Sequence, residues 1–287
     1  MFIKKDKYGV GTGRLRKLRV LSAIIVGCCV LFINTAGVAA NGSVNAESEK
    51  KPEPIAAGDV SAALLAEIGT GRVVYEYNSE EKLPAAGLTR LAALVSVCEG
   101  FDEGRLKPGD AVSVSEKAAG IGGTTAFLKA GEQMDAETML LAAVMINAGD
   151  ATHSLALAAA GSESAAVQEI NACMAGIGVE TNFSEICGAG EKLSASELAK
   201  IGAALTASES YRKFGTKFYE KIEHNTGAGA TELANPNKLV KQYSGCIGVG
   251  TGSSTEAGYC GVFAAKRGNT AFIAVVLGAK TSGTRFD

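Results

Sequence analysis

Ser48/Lys51 and Ser210/Lys213 each set a serine hydroxyl three residues ahead of a lysine amine in this 287-residue chain. On a helix that spacing puts both groups on one face. The chemistry it offers is acyl transfer: an uncharged amine takes the proton while the hydroxyl attacks a carbonyl. Neither pair has a suitable helix to sit on. Apolar periodicity is missing around Ser48, and Ser210-Tyr211-Arg212-Lys213 lies in a polar, charged stretch that reads as solvent-facing. Both are expected to be chance matches. Other nucleophiles and bases are scarce. His153 and His224 are the two histidines, far apart in sequence, so a histidine triad would need one of them. They are read as structural or surface residues, and a His-rich metal site is not expected. The seven cysteines include no C-x-x-C pair, which argues against zinc and thioredoxin-like sites. Five of them, Cys98, Cys173, Cys187, Cys246 and Cys260, follow the N-terminal apolar run, so at least one stays free unless chains pair. Small, buried apolar residues are the expected role for most of them. No cofactor is implied.

Composition sets the class. With 47% hydrophobic and 20% charged residues the chain is ordinary globular material, long enough for one sizeable core or two small ones. A net charge of −2 gives no reason to expect nucleic-acid binding. The N-terminus is different. Residues 1–19 are basic, Val20 to Ile33 is apolar, and small residues end at Ala40. This is the pattern of a secretory signal peptide over 1–40, cleaved after Ala40. The apolar run is short of the ~20 residues a membrane span needs. Membrane association, if the segment stays uncleaved, is expected through it alone. Residues 41–57 are polar and read as a disordered linker. The folded domain is expected over 58–287.

The elements that would position any chemistry follow in order. Ala62–Ile68 and Arg72–Tyr77 flank Gly69-Thr70-Gly71, a β-hairpin signal. Leu88, Leu91, Ala92 and Val95 recur at helical spacing behind Pro84 and Gly87, which predicts an amphipathic helix. Ala111–Val114 reads as a short strand, and Gly120–Thr125 as a Gly/Thr-rich loop. Asp135 is a predicted cap for a helix ending near Asn147, Asp150 for one over Ala151–Ala160, and Ser162 for one to Ala175. Ser194 and Glu197 form a capping box. Tyr259–Ala264 and Thr270–Leu277 flank Arg267-Gly268-Asn269 as a second hairpin. The last run is continuously apolar and predicts a central strand covered on both faces. Strand pairs at both ends suggest one sheet built from both termini.

The stretch Leu83-Pro84-Ala85-Ala86-Gly87-Leu88-Thr89-Arg90 resembles the nucleophile helix of the penicillin-binding D-alanyl-D-alanine carboxypeptidases, which opens with Pro-Ala-Ser-x-x-Lys. That family shares S-x-x-K, S-x-N and K-T-G with the serine β-lactamases. The similarity runs from about Asp59 to Arg285 through Tyr75-Glu76-Tyr77-Asn78, Phe127-Leu128-Lys129-Ala130-Gly131-Glu132, Asn235-Pro236-Asn237-Lys238-Leu239 and Ala257-Gly258-Tyr259-Cys260. Their order along the chain makes the match specific. The resemblance implies an α/β (α+β) fold of the β-lactamase/transpeptidase type. An antiparallel sheet from both chain ends would carry terminal helices, with a helical lobe beside it.

The resemblance also implies where the chemistry would sit, and there the residues differ. The serine position is Gly87 and the lysine position Arg90; the S-x-N positions are Asn147 and Gly149; the K-T-G lysine position is Gly250. A guanidinium cannot serve as a neutral base. Thr251 and Gly252 remain, and with Arg90 they are the candidate substrate-binding residues. The expectation is an exported carboxypeptidase-like protein that is catalytically inactive and has a cell-wall binding or scaffolding role. Its partner would be a peptidoglycan peptide or another exported protein. The alternative is an active enzyme with substitute nucleophiles, for which Thr89, Ser253 and Ser254 are the nearest hydroxyls.

Overall fold

A computed structural model describes residues 58–227 and 229–287. The expected signal peptide (1–40) and linker (41–57) lie outside the described residues. From the N-terminal side, β1 (Ala62–Glu67) and β2 (Val73–Tyr77) form the first hairpin, and β3 (Leu83–Pro84) leads through a 3-10 turn, Ala86–Thr89, into α1 (Arg90–Asp102). Short β4 (Ala111–Ser113), α2 (Glu116–Ala119) and β5 (Gln133–Asp135) precede three helices: α3 (Ala136–Ile146), α4 (Gly149–Ala160) and α5 (Glu163–Gly176). Next come β6 (Lys192–Leu193), α6 (Ala195–Ala207), α7 (Glu209–Arg212), the hairpin β7 (Tyr219–Glu223) and β8 (Ala230–Ala234), and α8 (Leu239–Gln242). The chain closes with β9 (Cys246–Ser254), β10 (Gly258–Arg267) and β11 (Thr270–Ala279). The β7–β8 hairpin has no counterpart among the predicted elements.

Both chain ends build one antiparallel sheet in the order β2-β1-β11-β10-β9, as the end hairpins imply. β1 and β11 pair from Ala62↔Leu277 to Glu67↔Phe272, which puts β11 at the centre. Its Ile273, Val275 and Leu277 are buried on the face that α6 covers. Gly202 lets α6 come this close: a Cβ there would sit 2.6 Å from Ile273 Cδ1 and 2.8 Å from Val262 Cγ1. On the other face Phe272, Ala274 and Val276 are only half-buried, so the expected double coverage is met on one side. The expected terminal helices are not among the described residues. After Ala279 the chain runs in turns, with Thr281 Oγ1 accepting from Thr284 N.

Helix α1 is more buried than its periodicity implies. Leu91 to Cys98 are all buried, because α4, α5 and α6 surround it. A helix covered on all sides needs no polar stripe. Its N-terminus is thereby fixed against β9, and this positions everything in the cleft.

Caps follow the sequence with one exception. Asp135 accepts from Thr138 N and Ser162 from Ala165 N. Asp150 does not cap α4, whose N-cap is Ala148. Its buried carboxylate instead accepts from Ala126 N at 2.9 Å and Leu128 N at 3.0 Å. These bonds tie the preceding loop down and leave Phe127 between them at φ 60°.

The capping box Ser194/Glu197 is formed in both directions, and Glu197 is also a buried junction. Its carboxylate takes Lys82 Nζ and the N–H groups of Glu180, Thr181 and Ser194. Burial alone would raise this carboxyl, but Lys82, Ser194 and Thr181 outweigh it and hold the pKa below the ordinary value. A lowered folded pKa stabilises the fold above the unfolded value, near 4.5, and the contribution is lost as pH falls through the folded value. Glu197→Gln should therefore lower the melting temperature at pH 7, with a gap to wild type that narrows on acidification. Parallel melting curves from pH 7 to pH 3 would contradict this.

Candidate functional site

The cleft is built where the start of α1 meets the edge strand β9. Gly87 sits in the 3-10 turn, and Gly252 lies against it: a Cβ at 252 would be 3.0 Å from Gly87 N. Gly87 itself has room. A Cβ there would lie 3.7 Å from Asn147 Nδ2 and 3.8 Å from Arg90 Nη1, which are ordinary contacts. Nothing in the packing forbids a serine; the oxygen is simply not there.

Arg90 neither pairs with Asp150 or Glu99 nor reaches freely into solvent. Its guanidinium donates to three main-chain carbonyls: Nη1 to Thr124 O at 3.0 Å and Asn147 O at 3.3 Å, and Nη2 to Gly122 O at 2.5 Å. It lies across the start of α4. A Cβ at Gly149 would be 2.9 Å from Arg90 Cζ, 3.1 Å from Nε and 2.7 Å from Ile121 Cγ2. The arginine and the missing asparagine are thus one arrangement, in which the guanidinium fills the space a side chain at 149 would need. Asn147, at φ 56° and ψ 44°, ends α3 and donates Nδ2 to Gly87 O at 2.6 Å. The left-handed conformation suits asparagine. On β9 a side chain at Gly250 would start over Leu91 and Leu88, at 3.7 and 3.9 Å.

The substitute nucleophiles are also placed. Thr89 is buried with its hydroxyl donated to Cys187 O at 3.0 Å, so it is spent on the backbone. Ser254 Oγ accepts from Ala257 N. Ser253 lines the cleft, but no lysine or histidine does. This cleft, of about 290 Å³, is walled by Gly87, Arg90, Gly123, Thr124, Asn147, Pro236, Thr251, Gly252, Ser253 and Arg285. It meets a larger groove of about 580 Å³ at Gly87, Arg90, Gly123 and Ser253. Lys117 and His153 line that groove. Lys117 is held charged by Glu163 at 2.9 Å, which raises its pKa. His153 Nε2 is also 2.9 Å from Glu163 but off the hydrogen-bond direction, and burial pushes its pKa down. Among the described residues of both cavities, no hydroxyl is hydrogen-bonded to an amine or imidazole. His224 is structural, bonded to Glu132 Oε1 and Thr231 Oγ1 at 2.8 Å. Ser210, the other chance match, is half-buried and bonded to Asp102 instead of facing solvent. Burial raises the thiols of Cys98 to about 12 and Cys187 to about 11, so neither is an activated nucleophile.

Sequence reasoning missed Arg285. It follows the last strand in an irregular turn, and its one signal is an arginine beside Phe286. Nη1 donates to Gly252 O at 3.1 Å and the guanidinium stacks over Phe286 at 4.9 Å. Burial pushes its pKa down, and among the described residues no carboxylate pairs with it. Together with Thr251 it makes one wall of the cleft cationic and rich in donors, which suits a carboxylate. No helix among the described residues is long and apolar enough to cross a membrane.

Comparison with known proteins agrees with this layout. The sequence pattern of the D-alanyl-D-alanine carboxypeptidases, peptidase family S11, matches residues 45–281. D-alanyl-D-alanine carboxypeptidase DacF of Bacillus subtilis is 34% identical over 271 residues, covering 93% of this chain and 68% of that protein. DacC of Escherichia coli is 28% identical over 241 residues, 80% of this chain and 59% of its own length. The crystal structure of DacD from Francisella tularensis superposes with a TM-score of 0.72 at 20% identity, covering 90% of this chain and 71% of that one. That of penicillin binding protein 6B from Escherichia coli gives 0.71 at 24%, covering 79% and 74%. At such identities the structural likeness speaks for the fold, and the family pattern speaks for descent: this chain belongs to the D-alanyl-D-alanine carboxypeptidase family.

Proposed function

We propose that the protein is an exported, catalytically silent member of its family that binds a peptidoglycan peptide by its terminal carboxylate. The observation that carries the silence is the Arg90 guanidinium, bound to three carbonyls and filling the space beside Gly149 while Gly87 offers no oxygen. Binding is supported by Thr251 and Arg285, which keep a cationic, donor-rich wall on a cleft with no nucleophile–base pair. Export rests on the pattern of residues 1–40, and the mature N-terminus should then begin near Asn41; secreted protein that still carries Met1 would refute cleavage.

A direct test of binding is calorimetric titration with an acylated D-alanyl-D-alanine dipeptide. Arg285→Ala should weaken it by about tenfold or more, since a charge-assisted hydrogen bond is lost. Unchanged affinity would remove Arg285 from the site. Failure of the wild-type protein to bind either this peptide or purified peptidoglycan would overturn the peptide reading in favour of an exported protein partner.

A further inference from the structure

Charge is unevenly spread along the folded chain. Residues 58–232 hold thirteen Lys and Arg against twenty-four Asp and Glu, while residues 233–287 hold six against two. The fold gathers cations of this last stretch at one end of the sheet. Helix α8 runs into β9 through Tyr243 and Gly245, and this turn is seated on the end of β10. Lys266 N donates to Gly245 O at 2.8 Å, and a Cβ at Gly245 would stand 2.6 Å from Lys266 O. Lys241, Lys266 and Arg267 thereby share one rim, and all three are exposed. Among the described residues none of them has a carboxylate within ion-pair reach, whereas Lys213, Lys217 and Lys221 are each paired with a glutamate. Two of the three take aromatic rings instead. Arg267 lies over Tyr243 at 5.0 Å and Lys241 over Phe218 at 5.3 Å. A ring face holds a cation in place without neutralising it.

These charges do not converge on a pocket: none of the three lines either cavity at the cleft. A single small anion needs convergent donors, but a chain with one negative charge per repeat needs separate cations along its path. We infer that the Lys241, Lys266 and Arg267 rim binds a polymer of phosphodiester repeats, apart from the peptide-binding cleft. Guanidinium and ammonium groups both suit phosphate oxygens, and unpaired ones release only counterions when they bind. A membrane surface suits the rim less. Interfacial binding uses an amphipathic helix with an apolar face to bury, while α8 is four residues long and the two rings here lie under cations. Bound in this way, an exported protein would be held on an anionic polymer while its cleft stays open.

The test is calorimetry on the whole exported protein with a poly(glycerol phosphate) chain, and with phosphatidylglycerol vesicles as a second arm. The polymer should bind, with an affinity that falls steeply as salt is raised. Lys241→Gln/Lys266→Gln/Arg267→Gln should weaken it at least ~10-fold at low salt and flatten the salt dependence, since three phosphate contacts are lost. Lys107→Gln/Lys129→Gln/Lys200→Gln makes the same change of charge elsewhere on the surface and should leave binding as it is. No binding to the polymer, binding indifferent to salt, or an equal loss in both triple variants overturns the proposal. Binding to the vesicles and not to the polymer overturns it in favour of a lipid surface. The salt dependence of the wild-type protein requires no variant, so the inference stays testable even if a variant fails to fold. The dipeptide titration is a separate measurement, so failure here leaves the reading of the cleft standing.

Discussion

Incubated with a fluorescent penicillin, the purified protein is expected to give no covalently labelled band. The Gly87→Ser/Arg90→Lys double variant is expected to release no D-alanine from an acylated D-alanyl-D-alanine peptide. The first result follows because acylation needs an attacking oxygen and Gly87 supplies none. In a serine hydrolase, loss of the nucleophile alone costs about 10⁶ in rate. The second is the stronger claim. Position 87 can accept a serine sterically, with 3.7 Å to the nearest atom, so a folded variant with its hydroxyl in place is attainable. What it would meet is wrong. Asn147 presents Nδ2 to Gly87 O where a hydroxyl would have to pass the proton to the leaving group. Gly149 has no carboxamide to hold a substrate amide, and Gly250 no ammonium. A restored lysine would also give up the three carbonyl contacts that hold Arg90 in place. A labelled band from the wild-type protein, or D-alanine detected chromatographically from the double variant, would end the reading of a silent enzyme.

How far the sequence reached depends on whether a feature is local. Capping needs only a few neighbouring residues, so Asp135, Ser162 and Ser194/Glu197 were legible and are found as expected. Asp150 looked like another cap, but two N–H groups more than twenty residues earlier compete for its carboxylate and win. The period of Leu88, Leu91 and Ala92 identified α1 yet understated its burial, because periodicity sees one face and α1 is packed on all of them. In the cleft, the altered residue types at 87, 90, 147, 149 and 250 were plain from motif order. Their coupling was not. Only the fold lays the Arg90 guanidinium over Gly149, and only the fold returns Arg285 to Gly252, across the turn that follows β11.

That coupling gives the remaining large effect. Gly149→Ala should destabilise the protein by about 3 kcal/mol, combining the cost of overpacking with the loss of charge-assisted hydrogen bonds. For a chain of this size that is a fall of roughly 6–12 °C in melting temperature. The sign is informative, because alanine for glycine in a helix ordinarily stabilises by about 0.5–1 kcal/mol. Here the new methyl group would stand 2.9 Å from Arg90 Cζ and 2.7 Å from Ile121 Cγ2. One of them must move, and Arg90 moves only by breaking its bonds to Gly122, Thr124 and Asn147. Removing the guanidinium first should therefore spare the second substitution much of its cost. In a double-mutant cycle, Gly149→Ala on an Arg90→Ala background should destabilise by at least ~1 kcal/mol less than on wild type, a coupling expected of residues in contact. Ile121 remains in both backgrounds, so its share cancels from the difference. If the two substitutions prove additive in thermal denaturation, the Arg90 guanidinium does not fill the space beside Gly149, and the two residues are not one arrangement.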